Sequence, residues 1–185
     1  MPDYTQHQEE IPFDAMLDAI CSELVSGSLW HERAAQSMLK GSLRGFARMH
    51  AAQAKHDQNK RLCLEKITVD RIGRIPALDL SEIPRTAAYE FPAGKLKEHL
   101  RDWAQNEDAF INMLNEAVRI SVTVDMAIYE ELCRLLSDVQ EEVSRVKMLY
   151  GRLEMGGWSG QDLGAVSLLL HKHYESSDGW DWRLS

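Results

Sequence analysis

The stretch LKEHLRDWAQNEDAFINMLNEA, from Leu96 to Ala117, decides the fold. Its apolar residues fall at Leu96, Leu100, Trp103, Phe110, Leu114 and Ala117, the steps of four and three that lay one stripe along one face of an α-helix. Glu107 interrupts that stripe at its middle. A carboxylate at a buried mid-helix position is costly unless it is paired, protonated or bound to a cation, so Glu107 calls for a partner.

The pattern recurs three times. Leu132, Leu135, Val139, Val146, Leu149 and Leu153 make a second stripe with Glu142 in the middle, and Met16, Ile20, Gly27 and Trp30 make a third around Glu23. A fourth begins with Phe46 and Met49, passes a polar waist of Gln53, Asp57 and Lys60, and resumes at Leu64 and Ile67. Packed as a bundle, the four helices would set Glu23, Asp57, Glu107 and Glu142 at one level of the core, which is how bundle proteins build carboxylate metal sites.

Composition narrows the class. A chain of 185 residues suits one domain, here residues 1–175 with a tail at 176–185, and a net charge of -8 without any basic run argues against a nucleic-acid partner. Cys21, Cys63 and Cys133 are widely spaced and form no C-x-x-C pair, as expected of reduced thiols. The start MPDYTQHQEE is polar and acidic, which does not suit a signal peptide, and no apolar run approaches a membrane span. A soluble, cytoplasmic protein without a membrane partner is expected.

The periodicity predicts helices over 12–40, 43–71, 94–123 and 125–155, then a shorter fifth over 160–174. Gly41 and Ser42 break the first pair tightly. Residues 76–94 hold Pro76, Pro84 and Pro92 and form the longest loop, long enough to travel the length of a bundle and set the second and third helices parallel. Trp180 and Trp182 lie in the tail. No phosphate loop, dinucleotide fingerprint or serine elbow occurs.

An all-α order of four long helices with a long second crossover and a short fifth helix resembles the ferritin family, in detail its bacterial non-haem branch. ELVSGSLW at 23–30 is similar to the family's first-helix motif, RGFARMHAAQA at 44–54 to the approach to its E-x-x-H, Asn115-Glu116 to a third-helix element, and Gly160 to Gly164 to the start of its fifth helix. The resemblance implies a homo-oligomer, in the family's usual form a 24-subunit cage, that oxidises iron(II) and stores ferric mineral. Glu23 and Glu107 match the iron ligands of the first and third helices, Asp57 stands for the second helix's glutamate, and Lys60 stands for its histidine. On the fourth helix either Glu142 or, in the other register, Gln140 takes the ligand place, and Trp30 replaces a tyrosine beside the site. Gln58 occupies the methionine position of the haem-carrying relatives, so no haem is expected.

Lys60 changes the expected chemistry. An imidazole donates a lone pair to iron, whereas a charged ammonium has three donors and no acceptor. The ferroxidase site is therefore expected to be degenerate, holding a single iron or a weakened di-iron pair and oxidising slowly. The alternative is a non-catalytic ferritin-like scaffold in which Lys60 neutralises the carboxylates instead of metal; a di-iron oxidase fits less well, since E-x-x-H is intact on neither helix. His50 and His56 read as packing or surface residues near the site. His31, His99, His171 and His173 show no spacing that converges on it.

Overall fold

The computed structural model describes residues 12–79, 81 and 95–175. They form five helices and, among the described residues, no strand: α1 (Phe13–Lys40), α2 (Arg44–Ile72), α3 (Leu96–Ser121), α4 (Met126–Met155) and α5 (Gly160–Glu175). The ends fall within about two residues of those the periodicity predicts. Pro12 precedes α1, where its missing N–H leaves no bond unmade. Gly73, at φ 76°, closes α2 in the left-handed conformation. The α3–α4 junction has neither proline nor glycine; Asp125 starts α4 there, its carboxylate accepting from the N–H groups of Ala127 and Ile128 at 2.9 and 3.1 Å.

Ion pairs between the helices define the topology. Arg71 on α2 bonds Asp125 at the start of α4, and Lys60 bonds Glu142 further along, so these two helices are antiparallel. Lys147 pairs with Asp108, and Glu154 with Lys97, so α3 also opposes α4. It follows that α2 and α3 run parallel, the arrangement that the long connection predicts. Most of that connection lies outside the described residues, as do the N-terminal arm and the tail with Trp180 and Trp182.

Helix α5 closes one end by lying across α2. The backbone N–H of Gly45 donates to Ser167 Oγ at 3.0 Å, and a Cβ at Gly45 would fall 1.7 Å from the carbonyl oxygen of Ser167. Only glycine permits that approach. Val166 thereby joins Met38, Phe46, Leu100 and Val146 in one apolar cluster. A second cluster, with Leu17, Ile20, Leu24, Leu64, Leu114 and Leu132, fills the other end. Between the two lies a polar layer containing His31, His50, Gln53, Asp57, Lys60 and Glu142, all buried.

The three cysteines are free thiols, and no described helix is long and apolar enough to cross a membrane. Gly45→Ala is expected to lower unfolding stability by about 1–3 kcal/mol, because the added carbon must push α5 off α2. Urea denaturation would check this; an unchanged midpoint would mean that α5 is not seated there in solution.

Candidate functional site

The buried face of α2 reads Phe46, His50, Gln53, Asp57, Lys60 and Leu64, alternating steps of four and three with polar groups at the centre. A helix carrying that face into a core must find partners for each polar group. Lys60 is 2% exposed, and its Nζ donates to both oxygens of Glu142 at 2.7 Å and to Asp57 Oδ1 at 3.4 Å. Gln53 Nε2 donates to the same Asp57 oxygen at 3.0 Å, and His56 Nδ1 lies 2.7 Å from Glu142 Oε1. Across the layer on α3, Glu107 accepts from Trp103 Nε1 at 3.1 Å.

Electrostatics divides the acids into two kinds. Burial pushes Glu142 up, but Lys60 and His56 beside it outweigh that and hold its carboxyl down at about 2. For Lys60, burial opposes the charge, while Glu142 and Asp57 raise it above its ordinary value. Asp57 rises to about 7 through burial, with Glu142 adding to the rise and Lys60 opposing it. Glu107 rises to about 8 through burial and through the negative charges of Glu142 and Asp57. Lys60 and Glu142 thus form a charged pair, whereas Asp57 and Glu107 are both shifted toward their protonated forms.

A cavity of about 100 Å³ opens beside this layer, lined by Glu23, Trp30, His31, Asp57, Lys60 and Glu107 among others. The residues singled out from the sequence are distributed as follows. Asp57, Lys60 and Glu142 meet directly, Glu107 stands on the pocket wall, and Trp30 is half-buried beside it. Glu23 lines the pocket but is exposed, whereas the stripe of Met16, Ile20, Gly27 and Trp30 would set it in the core. The buried face of α1 is broad, taking in Met16, Leu17, Ile20 and Leu24 and then Ser28 and His31, while Gly27 and Trp30 are half-buried, which leaves Glu23 at its edge. Gln140 is exposed, and Glu142 is the α4 residue that enters the layer.

The histidines depart from their sequence reading. His31, His50 and His99 come from three helices into one buried contact, and His31 also reaches the pocket. His56, read as packing or surface, partners Glu142. The signal for His50 is the α2 periodicity: it continues the stripe of Phe46, Gln53 and Asp57, with Met49 buried beside it. Among the described residues, no group of three His, Cys, Asp or Glu side chains converges closely enough to hold a metal ion.

No protein-family model matches the sequence, and no curated protein matches it. Solved structures do. An open-pore ferritin from the hyperthermophilic archaeon Archaeoglobus fulgidus superposes with a TM-score of 0.72 at 17% identity, covering 86% of this chain and 94% of that one. The chain has the ferritin-like fold. A humanized archaeal ferritin gives 0.73 at 18% identity over 86% of this chain and 93% of that one. A PmFTN variant soaked in iron gives 0.71 at 13% identity, with coverages of 84% and 96%. Such identities establish the fold but not the individual residues of the polar layer.

Two outcomes follow for this ferritin-like bundle. Lys60→Ala strands Glu142 in the core and is expected to cost about 3–5 kcal/mol in urea unfolding at neutral pH. The pH profile of stability has opposing parts. Burial lowers His31 to about 3, His99 to about 4 and His50 well below its usual value, so their stabilisation is present above about 6.5 and is lost as pH falls. Asp57 and Glu107 are raised, so theirs is complete below about 4 and is lost as pH rises through 7 and 8. Stability should peak at about pH 6. A denaturation midpoint that climbs steadily from acid to alkali would show that the two acids are not protonated in the fold.

Proposed function

We propose that this chain is a ferritin-like iron-binding and storage subunit that admits iron(II) singly and oxidises it slowly, with Lys60 in the place of a second cation. The observation that carries the reading is the Lys60 ammonium, 2.7 Å from both oxygens of Glu142, at the level where the acids of the bundle meet. It balances carboxylate charge as a metal would, but it has no lone pair to share and no electron to pass on. Both oxygens of Glu142 are engaged by it, and Asp57 Oδ1 is shared between Gln53 and Lys60. Glu107 on the pocket wall and Glu23 at its open side are the carboxylates that an entering ferrous ion would meet in the pocket. Oxygen donors of this kind suit a hard or borderline divalent ion.

Storage requires several copies around a common cavity, so the reading includes a homo-oligomer, with the 24-subunit shell as its fullest form. The ferritin-like fold supports this, and the chain's own residues supply the departure from it. A second reading rests on the closed Lys60–Glu142 pair together with the lack of three convergent donors among the described residues. In that reading the bundle is a scaffold that acts through assembly or a partner and oxidises nothing.

Aerobic addition of iron(II) to metal-free protein separates the two. Ferric absorbance rising faster than in buffer, with iron retained on a large particle, supports storage. Oxidation at the buffer rate with no retained iron supports the scaffold. Lys60→His should then raise the initial rate by about tenfold, equivalent to ~1.4 kcal/mol of barrier; no gain would remove Lys60 as the cause of slow oxidation.

A further inference from the structure

Three histidines form a chain through the core that the iron reading leaves unused. His31 Nδ1 on α1 lies 2.8 Å from His50 Nδ1 on α2, and His50 Nε2 lies 3.0 Å from His99 Nε2 on α3. The other ring nitrogen of His31 faces Asp57 Oδ2 at 3.9 Å, and His31 lines the pocket. The three are 1%, 0% and 4% exposed. Trp30 stacks on His99 at 4.5 Å, and Trp103 lies 4.7 Å from His31 and 4.8 Å from His50, so aromatic rings wall the chain. A site needed only for packing would take apolar side chains. Imidazoles persist there because their nitrogens satisfy one another.

We propose that His31, His50 and His99 are a proton relay between the carboxylate pocket and the end of α3 where His99 lies near Asp102. A neutral imidazole has one N–H and one bare nitrogen, so each nitrogen-to-nitrogen contact needs the proton on one side only. The chain therefore has two registers. In the first, the protons sit on His31 Nδ1, His50 Nε2 and His99 Nδ1; in the second, on His31 Nε2, His50 Nδ1 and His99 Nε2. A proton taken from the pocket at His31 Nε2 drives the Nδ1 proton of His31 onto His50 Nδ1. The Nε2 proton of His50 then passes to His99 Nε2, and the Nδ1 proton of His99 is released to water on the side of α3 where the exposed carboxylate of Asp102 lies.

One proton enters, one leaves, no ring keeps a charge, and the first register becomes the second. A proton moving the other way, or rotation of the rings, restores it. His50 and Asp57 stand seven residues apart on α2, so the relay spans about 10 Å of helix length. The titratable groups around it are Asp57, Glu142 and Lys60 near His31, and Asp102 near His99. Burial keeps all three rings neutral, the state that the transfer needs.

The relay deepens the iron reading and, for its purpose, rests on it. Four iron(II) ions passing four electrons to one dioxygen, with six waters, give four FeO(OH) units and eight protons. Those protons arise at a pocket whose wall includes His31, and the chain gives them a dry way out.

The test is nitrogen-15 NMR of histidine-labelled, iron-free whole protein at neutral pH, with and without Asp57→Asn. The relay requires three neutral rings in matched registers, and D57N must shift the tautomer populations of His31, His50 and His99 together, although His99 does not touch Asp57. A charged ring, protons on both facing Nδ1 atoms of His31 and His50, or a D57N effect that stops at His31 would overturn it. His99→Gln repeats the test from the other end, with the readout at His31, should D57N fold poorly. A cluster whose rings packing locks in one register would not transmit either change. The readout needs no iron, so a negative result overturns the relay and says nothing against iron binding in the pocket.

Discussion

The ammonium of Lys60, buried between Asp57 and Glu142, is the constraint on which the rest of the structure depends. Removing such a charge from water costs several kcal/mol, recovered only when opposite charge and hydrogen bonds surround it. Glu142 provides the charge with both oxygens, and Asp57 adds a longer contact. Each partner then needs its own: Gln53 for Asp57, His56 for Glu142. One buried cation thus assembles a layer from residues of α2 and α4, and the apolar clusters are confined to either side of it.

That layer is asymmetric, which shapes what the bundle can do. On the α2–α4 side the carboxylate is paired and its charge is settled. On the α1–α3 side Glu107 is half-buried, held by one indole, and opens into a cavity shared with the exposed Glu23. Half of this level is occupied by the protein's own charge. The histidine chain leaves the same cavity and runs across α1, α2 and α3 between the indoles of Trp30 and Trp103.

Much of this was legible because each helix announces its buried face through the spacing of apolar residues. The acids Glu107 and Glu142 were visible as interruptions of strong stripes, and Asp57 and Lys60 as a polar waist. Glu23 lies further out than its stripe suggests for a definable reason: Met16 and Ile20 are buried together with Leu17 and Leu24, about 100° round the helix, so the buried face of α1 is broad and Glu23 stands at its edge. The histidine chain was hidden for a different one. A histidine on a helix face reads the same whether it meets water or another imidazole, and His31, His50 and His99 belong to three separate helices.

Residue spacing alone predicts the extent and order of the described helices, the parallel course of α2 and α3, and the presence of acids and one lysine on core-facing stripes. These are properties of one segment at a time, set by the α-helical period, by caps and by connection length. Only the tertiary structure decided that Lys60 faces Glu142 more closely than Asp57, that Glu23 turns outward, and that three imidazoles meet nitrogen to nitrogen. Such contacts depend on the rotation and axial offset of one helix against another. Those offsets come from packing both apolar clusters at once and from the close seat of α5 on Gly45, which no single helix encodes.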